Sequence, residues 1–411
     1  MQNLFSSKVK SKYKPKRLAV KLNALGEQLV IRGHPWVFSK RIVKINDAAI
    51  TGDLAIIFSK TKNKMIGLGL YDAKSDIRIK IIHASSEKVE VNTLFFKRKI
   101  QKAFQKREIL FKSNTNSYRL LFGENDGFPG LIADVYANIL VVKLYSEIWF
   151  PYLKSILEGL RTTSQANTVV IRLSRHLKDS NTHNFVDGEI VFGKLENETI
   201  HFVEHGVHFS ANVIKGHKTG YFLDHRANRK QVGKWSKEKT VLDVFSYTGG
   251  FSVHALANKA KEVTSLDMSK HAINLALYNG KLNTYTGVHK ILCGEAFREL
   301  KHLISNKKVF DVVVIDPPSF AKQQSEVNLA KKKYAQLAEL GLKLTAKRGL
   351  LVLASCSSRI IAQSFFDVNA QVLNAQDRVY KLVLKTTHDV DHPITFKEGA
   401  YLKCAYYRFI D

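Results

Sequence analysis

From about residue 240 onward the chain alternates apolar, strand-like runs with helical stretches, and this alternation restricts its fold more than any other feature. Strands are expected at 240–245, 262–267, 288–292, 309–315, 350–355, 378–385 and 402–409. Helices are expected between the early ones, at 250–258, 270–282, 296–305, 326–346 and 360–374. Such spacing predicts an α/β domain built on a parallel, doubly wound sheet of seven strands. Ligands of such sheets bind beyond the carboxyl ends of the strands, so the residues that follow each strand are the ones to read for chemistry.

The first strand runs into VLDVFSYTGGF (241–251). An acid, Asp243, precedes a turn of Phe245, Ser246, Tyr247 and Thr248, and Gly249 and Gly250 open a helix at Phe251. Glycines there let the backbone approach a ligand closely and take positive φ. The exposed N–H groups of a helix start suit a carboxylate or a ribose, so a nucleotide-type cofactor is the natural occupant. Asp267 ends the second strand, where a carboxylate has lone pairs for both hydroxyls of an adenosine ribose. Glu295 follows the third strand and is expected to receive the adenine amino group. One such acid reads equally well as a solvated surface group, but three at successive strand ends read as a site. The fourth strand stops at Asp316-Pro317-Pro318, whose prolines force the chain out over the sheet edge and hold Asp316 at the strand end. The fifth ends in ASCSS, with Cys356 just past the strand among hydroxyls. Cys293 and Cys404 lie inside apolar runs and read as small hydrophobes. Cys356 reads as a nucleophile, since a positive field favours its thiolate.

The charge points to the partner. The 411 residues carry a net +28, an excess that favours a polyanion, with nucleic acid first. Lys8, Lys10, Lys12, Lys14, Lys16, Arg17 and Lys21 precede the first acid, Glu27. Residues 1–16 are thus expected to form a basic disordered arm; a mitochondrial presequence is the alternative. No run of about 18 apolar residues predicts a membrane span, and no apolar signal core opens the chain. The three cysteines form no CxxC pair, so neither a metal site nor a disulfide framework is expected, and a cytoplasmic setting fits.

Ahead of the sheet, 17–89 reads as an all-β barrel from LAVKL, EQLVIRG, LAIIFS, MIGLGLYD and IRIKIIHA and their turns. A helix is expected over 93–112, with Phe96, Ile100, Phe104 and Phe111 on one face. Lys97, Arg98, Lys99, Lys102, Lys106 and Arg107 are expected on the other, either solvated or touching RNA. Residues 123–145 read as a turn and a hairpin, 149–161 as a helix and 168–173 as a strand. Residues 90–204 thus form a small α+β domain and 205–411 the final domain.

Taken together, VLDVFSYTGGF, the acid of SLDMS, DPPSF and ASCSS resemble a class I S-adenosylmethionine-dependent methyltransferase. RGHPWVF and GLGLYDAKSDIRIK resemble the N-terminal PUA domain of the ribosomal RNA large-subunit methyltransferase I family. GENDGFPGLIADVY, HKTGYFLDHRANR and DHPITFKEGAYLK resemble further segments of that family, so the likeness covers nearly everything after residue 17. It implies S-adenosyl-L-methionine as cofactor and methylation of cytosine carbon 5 in 23S ribosomal RNA, free or in an assembly intermediate. It also implies a Rossmann-like methyltransferase domain behind a PUA barrel, and relatives of this architecture are often homodimers. Cofactor contacts are implied from Asp224, His225 and Arg226, although the family usually has Gln where this chain has His225. Lys218, Arg226 and Arg229 read either as holding backbone near the cofactor or as a solvated helix face. Ser319 stands where two-cysteine relatives carry Pro-Cys, which leaves Cys356 as nucleophile and Asp316 at the cytosine N3–N4 edge. Guanine N7 methylation on the same fold and a non-catalytic RNA-binding protein are the competing readings. RNA binding through phosphates predicts a salt dependence of about 0.7 log units per log salt for each contact on single strands.

Overall fold

The computed structural model describes residues 5–11, 13–180 and 182–411. They fold as two compact units. The first holds residues up to Val203, Ser210–Leu223 and Val390–Phe396; the second holds Glu204–Phe209, Asp224–Asp389 and Lys397–Asp411.

The first unit begins with β1 (Arg17–Leu22), α1 (Ala24–Ile31), β2 (Trp36–Phe38), β3 (Ile42–Ile45), β4 (Leu54–Phe58), β5 (Met65–Tyr71) and β6 (Ile77–His83). The six strands form one sheet in the order β2-β6-β5-β4-β1-β3 around Leu18, Val20, Val37, Ile57 and Ile79. Of EQLVIRG, expected as a strand, residues 27–31 lie instead in α1, and Arg32 is its C-cap. Asn23 caps that helix by accepting from the Gly26 N–H at 2.9 Å, and Gly26 and Val30 share its buried face one turn apart. The β-branched pair Val30-Ile31 mimics a strand when the cap is overlooked.

A second layer follows: α2 (Thr93–Gln105), β7 (Ser117–Phe122), β8 (Leu131–Tyr136), β9 (Ile139–Leu144), α3 (Leu153–Ser164), β10 (Thr168–Leu173), α4 (Arg175–Lys178) and β11 (Glu189–Phe192). Its sheet runs β11-β10-β9-β8-β7. One apolar core joins its residues to Leu54, Leu68 and Ile82 of the first sheet. The basic face expected on α2 is only partly solvated. Lys97, Arg98, Lys102 and Lys106 are exposed, but Arg107 is fully buried and Lys99 donates to the Ile82 carbonyl at 2.7 Å. The helix also stops short of Phe111, which lies in a separate 3-10 segment and is exposed.

The basic arm is held where it is described. The Ser6 N–H donates to the Val191 carbonyl at 2.9 Å, Phe5 packs on Phe192 and Val9 is buried. Lys16 N and the Tyr13 hydroxyl both donate to Asp53. The expectation of a disordered arm is corrected for these residues, while residues 1–4 and Lys12 lie outside the described ones.

A hairpin of β12 (Thr199–Glu204) and β13 (Val207–Asn212) leads to the second unit. There α5 (Arg226–Trp235), β14 (Thr240–Val244), α6 (Gly250–Ala257), β15 (Glu262–Asp267), α7 (Lys270–Lys281) and β16 (Val288–Cys293) are followed by α8 (Ala296–Ser305) and β17 (Phe310–Ile315). Next come α9 (Val327–Leu344), β18 (Thr345–Ser355), α10 (Ala362–Asn374), β19 (Tyr380–Thr386) and β20 (Lys403–Phe409). Every strand and helix expected after residue 240 is present. The sheet order is β16-β15-β14-β17-β18-β20-β19, with β20 antiparallel between β18 and β19. The sheet is therefore parallel over five strands and antiparallel at one end. Apolar side chains of the strands fill cores on both faces. Among the described residues no helix is long and apolar enough to cross a membrane.

Candidate functional site

Register brings the expected residues to one edge of the second unit. Val244 of β14 lies opposite both Leu266 of β15 and Ile315 of β17, and Ile315 lies opposite Leu353 of β18. Phe245, Asp267, Asp316 and Cys356 thus leave the sheet at its carboxyl edge, where the sheet order reverses around β14.

The turn after β14 is conformationally demanding. Phe245, Tyr247 and Gly249 all have left-handed backbones, with φ of 63°, 48° and 79°. For the two non-glycine residues this costs on the order of 1–2 kcal/mol each. Compensating bonds hold them: Ser246 N to Leu266 O at 3.0 Å, Tyr247 N to Asp267 Oδ2 at 2.9 Å, and Asn279 Nδ2 to Thr248 O at 2.9 Å. Gly249 alone needs to be glycine for conformation. A Cβ there would also lie 2.8 Å from the Ala276 Cβ of α7. Gly250 is the first residue of α6 and Phe251 packs behind it, largely buried.

Asp243 points inward under this turn. Its Oδ2 accepts from Ser252 N at 3.0 Å and from Ser252 Oγ at 2.7 Å, bracing the start of α6. Ser252 Oγ meets Ser265 Oγ at 2.6 Å, which meets His289 Nε2 at 2.8 Å. Asp243 Oδ1 is buried with no hydrogen-bond partner among the described residues. Burial, reinforced by the carboxylates of Asp316 and Asp267, pushes the Asp243 carboxyl up to about 7. A buried oxygen lacking a donor beside a glycine cradle suits a cationic nucleoside cofactor.

Asp267 and Glu295 differ in how they are engaged. Asp267 accepts from Tyr247 N and from Ser269 N, both at 2.9 Å, and each oxygen keeps a lone pair for a ribose. Glu295 is exposed, and its two oxygens accept from Phe297 N at 3.1 Å and Arg298 N at 2.9 Å as the N-cap of α8. The structure thus gives Glu295 a capping role alongside the adenine contact expected of it.

The segment before α5 supplies the far wall. His225 is buried, with Nε2 at 3.3 Å from Asp316 Oδ2, an electrostatic contact rather than an aligned hydrogen bond. Its ring also meets Phe251 edge-on at 5.5 Å. Burial opposes charge on the imidazole, but Asp316 outweighs it and raises the His225 pKa. Asn228 contacts His225 Nδ1 at 3.0 Å and accepts from Thr386 Oγ1 at 2.6 Å and from the Tyr406 hydroxyl at 2.8 Å. The two hydroxyls orient the carboxamide so that its NH2 faces Nδ1. In the neutral ring the proton then sits on Nε2, facing Asp316.

Asp224 accepts from the Tyr401 hydroxyl at 2.8 Å. Arg226 is wholly buried and pairs with Asp389 at 3.0 Å, while Arg229 makes a bidentate pair with Glu204 that His254 joins at 2.9 Å. The solvated-face reading of Arg226 and Arg229 is thereby corrected: both are internal struts.

Cys356 is half-buried, with Sγ at 3.9 Å from the Pro317 carbonyl, so the ends of β17 and β18 meet at the thiol. Ser355 Oγ donates to the Tyr334 hydroxyl at 2.9 Å beneath it, and burial pushes that phenol up to about 12. Cys404 is buried as expected. Cys293 is instead exposed, because β16 is an edge strand. Sequence reading missed Asn228, Thr386 and Tyr406, whose partners lie 158 and 178 residues apart. It also missed Lys403, although a lysine opening the apolar run KCAYYRF was a visible signal.

The S-adenosylmethionine-dependent methyltransferase family model matches residues 118–375, and a PUA-like domain matches 20–84. The "Ribosomal RNA large subunit methyltransferase" of Deinococcus radiodurans is 35% identical, covering 95% of this chain and 97% of its own. The "Ribosomal RNA large subunit methyltransferase I" of Vibrio parahaemolyticus is 32% identical over 92% of this chain and 96% of its own. Among solved structures, a candidate SAM-dependent methyltransferase from Streptococcus mutans shares the fold at 21% identity. Its TM-score is 0.79, over 95% of this chain and 99% of its own. A candidate methyltransferase complexed with SAH is similar at a TM-score of 0.78 and 21% identity, over 96% of this chain and 100% of its own.

Proposed function

The chain belongs to the S-adenosylmethionine-dependent methyltransferases, in the family of ribosomal RNA large-subunit methyltransferases, and from that premise we propose that it forms 5-methylcytosine in 23S ribosomal RNA through a covalent adduct with Cys356. The observation that carries this reading is the half-buried Cys356 sulfur against Pro317, at the strand end that also bears Asp316. A guanine N7, already nucleophilic, needs no thiol beside it.

S-adenosylmethionine supplies an electrophilic methyl group on a sulfonium. When bound, it would be held by Asp267 at the ribose hydroxyls and by the 245–251 turn at the methionine part, and the Oδ1 of Asp243 would answer its positive charge. Cytosine carbon 5 is too weak a nucleophile unaided. The Cys356 thiolate adds to carbon 6, forming a C–S bond and moving electron density to carbon 5. Asp316, assigned to the N3–N4 edge and backed by His225, would in its protonated form donate to N3 and offset the negative charge that develops there during that addition. Carbon 5 takes the methyl group as its bond to the sulfonium breaks, leaving a neutral thioether; a base removes the carbon-5 proton, and the C–S bond to Cys356 breaks to return the thiolate. Holding the reactants in line contributes roughly 7–11 kcal/mol to lowering the barrier. The target base leaves its stack to enter, which costs a few kcal/mol in a helix and less in a loop. Lysines and arginines of both units supply sequence-independent phosphate contacts.

The test is methylation of 23S ribosomal RNA by the wild type and by Cys356→Ala, with methylated nucleosides mapped by mass spectrometry. Wild-type 5-methylcytosine that disappears in the variant is the expected result. A methylated guanine, or full activity in the variant, would overturn the reading.

A further inference from the structure

Lys403 stands opposite Ser355 in the β18–β20 register, one residue before Cys356. Its side chain is buried, 2% exposed overall. The ammonium donates to three main-chain carbonyls: those of Ser357, Ile360 at 2.7 Å and Tyr401 at 3.0 Å. All three N–H bonds are therefore committed, two of them to the turn that follows the thiol. No carboxylate is among these partners. Burying an ammonium on neutral carbonyls is unfavourable unless a negative charge forms nearby. Burial accordingly lowers the Lys403 pKa to about 8, with the Cys356 sulfur acting in the opposite direction.

We propose that Lys403 positions and activates Cys356: it clamps the 355–361 turn through its carbonyls and stands as the fixed positive charge that favours the thiolate. The proposal rests on the reading of Cys356 as nucleophile. It also resolves an electrostatic conflict in that reading. The Tyr334 phenol feels both Asp316 and Cys356, so carboxylate and thiol share one small region. A carboxylate there opposes thiolate formation. Tyr334 stays neutral and offers no charge to balance it, and His225 is engaged with Asp316. Lys403 is the buried cation at the thiol's end of the β18–β20 pair, opposite Ser355. It is a positioning residue, since it touches neither cofactor nor base.

The experiment reads the thiol directly. In a Cys293→Ser background, which removes the exposed competing thiol, alkylation of Cys356 by iodoacetamide is followed by peptide mass spectrometry as a function of pH. Lys403→Met keeps the length of the side chain and removes its charge. Alkylation of Cys356 at neutral pH is expected to slow about tenfold, equivalent to a rise of about one unit in the thiol pKa. Lys403→Arg is expected to lie closer to the wild type. An unchanged alkylation profile in folded Lys403→Met would overturn the proposal and leave the lysine as a clamp only. Should Lys403→Met fail to fold, the wild-type profile decides: a midpoint at or above about 8.5, the value of an unperturbed thiol, overturns it. Because the readout needs neither RNA nor cofactor, it separates from the proposed function. A shifted thiol with no 5-methylcytosine formed would sink the chemistry and keep the lysine's role.

Discussion

Two regions of the molecule bury charge, and they treat it in opposite ways. In the first unit Arg107 is fully buried and makes a two-pronged pair with Asp126, at 3.1 and 2.5 Å, and Asp126 also accepts from Phe122 N. Arg119 pairs in the same way with Asp134, at 2.8 and 2.9 Å, and Thr219 donates to that carboxylate. Each of these two arginines meets its opposite charge in a good geometry. At the strand ends of the second unit, Asp243 keeps an oxygen without a donor, and Lys403 has neutral carbonyls for partners. A closed network serves only the fold. A charge left incompletely matched is unfavourable for folding; on the proposed reading it answers to what arrives later, a cationic cofactor at one place and a thiolate at the other.

The comparison breaks most easily at the thiol. Cys356→Ala is expected to lower the methylation rate by about 10⁴-fold or more, as removal of an essential nucleophile does. Its stability should change by less than about 1 kcal/mol, because the sulfur is only half-buried. Single-turnover methylation and urea unfolding on the same preparation check both halves. A large stability loss would mean that Cys356 belongs to the core and would undo the contrast.

Arg107→Met should behave in the opposite sense. It leaves Asp126 buried and uncompensated, at a cost of about 3–5 kcal/mol in urea unfolding. Adding Asp126→Asn should recover part of that loss, as coupled sites do. If the single variant is as stable as the wild type, the network is not the strut described here.

Asp243 gives the comparison a pH axis. Its folded pKa of about 7 lies above the value of about 3.9 in an unfolded chain. The folded protein therefore holds a proton that the unfolded chain has already released. The contribution of this group is intact below about pH 4, declines as pH rises and levels off above about pH 7. The loss is of the order of a few kcal/mol. Asp243→Asn should remove this slope, and unfolding measured at mildly acidic and mildly alkaline pH tests it against the wild type. The same variant should bind S-adenosylmethionine about tenfold more weakly by calorimetry, since the charge that meets the cofactor is gone. A variant with unchanged slope would mean that Asp243 is already ionised in the fold.

Much of the second unit was legible because local signals agree. The first four strands after residue 240 run into an acid, a glycine turn or a proline pair, and the fifth into the hydroxyl-rich turn that carries Cys356. Strand direction is not written in periodicity, so β20 could be located but not oriented. The first unit was harder to read. Asn23 as a cap outweighs the strand-like run EQLVIRG, and Arg107 looks like its solvated neighbours until Asp126, nineteen residues on, is brought to it. The site divides in the same way. Acids and the thiol at strand ends are readable, since the fold rule says where to look. The struts behind them are not: Asn228 finds Thr386 and Tyr406, and Lys403 finds Ser357 and Ile360, only once the sheet has formed.

Glu295 offers the smallest and sharpest test. Its carboxylate closes the first turn of α8 through two main-chain N–H groups, and it is exposed. Glu295→Ala removes a cap, which costs about 1 kcal/mol of stability. A contact with an adenine amino group at so exposed a position would compete with water. The cofactor dissociation constant is therefore expected to change by less than about threefold, within the range of a weak exposed hydrogen bond. Thermal unfolding and calorimetric titration of one variant separate the two roles. A tenfold loss of affinity would move Glu295 to the group of Asp267, as a strand-end acid whose lone pairs serve the nucleoside. A lost cap with affinity retained would leave it on the side of Arg107 and Asp126, a charge whose partners are all within the fold.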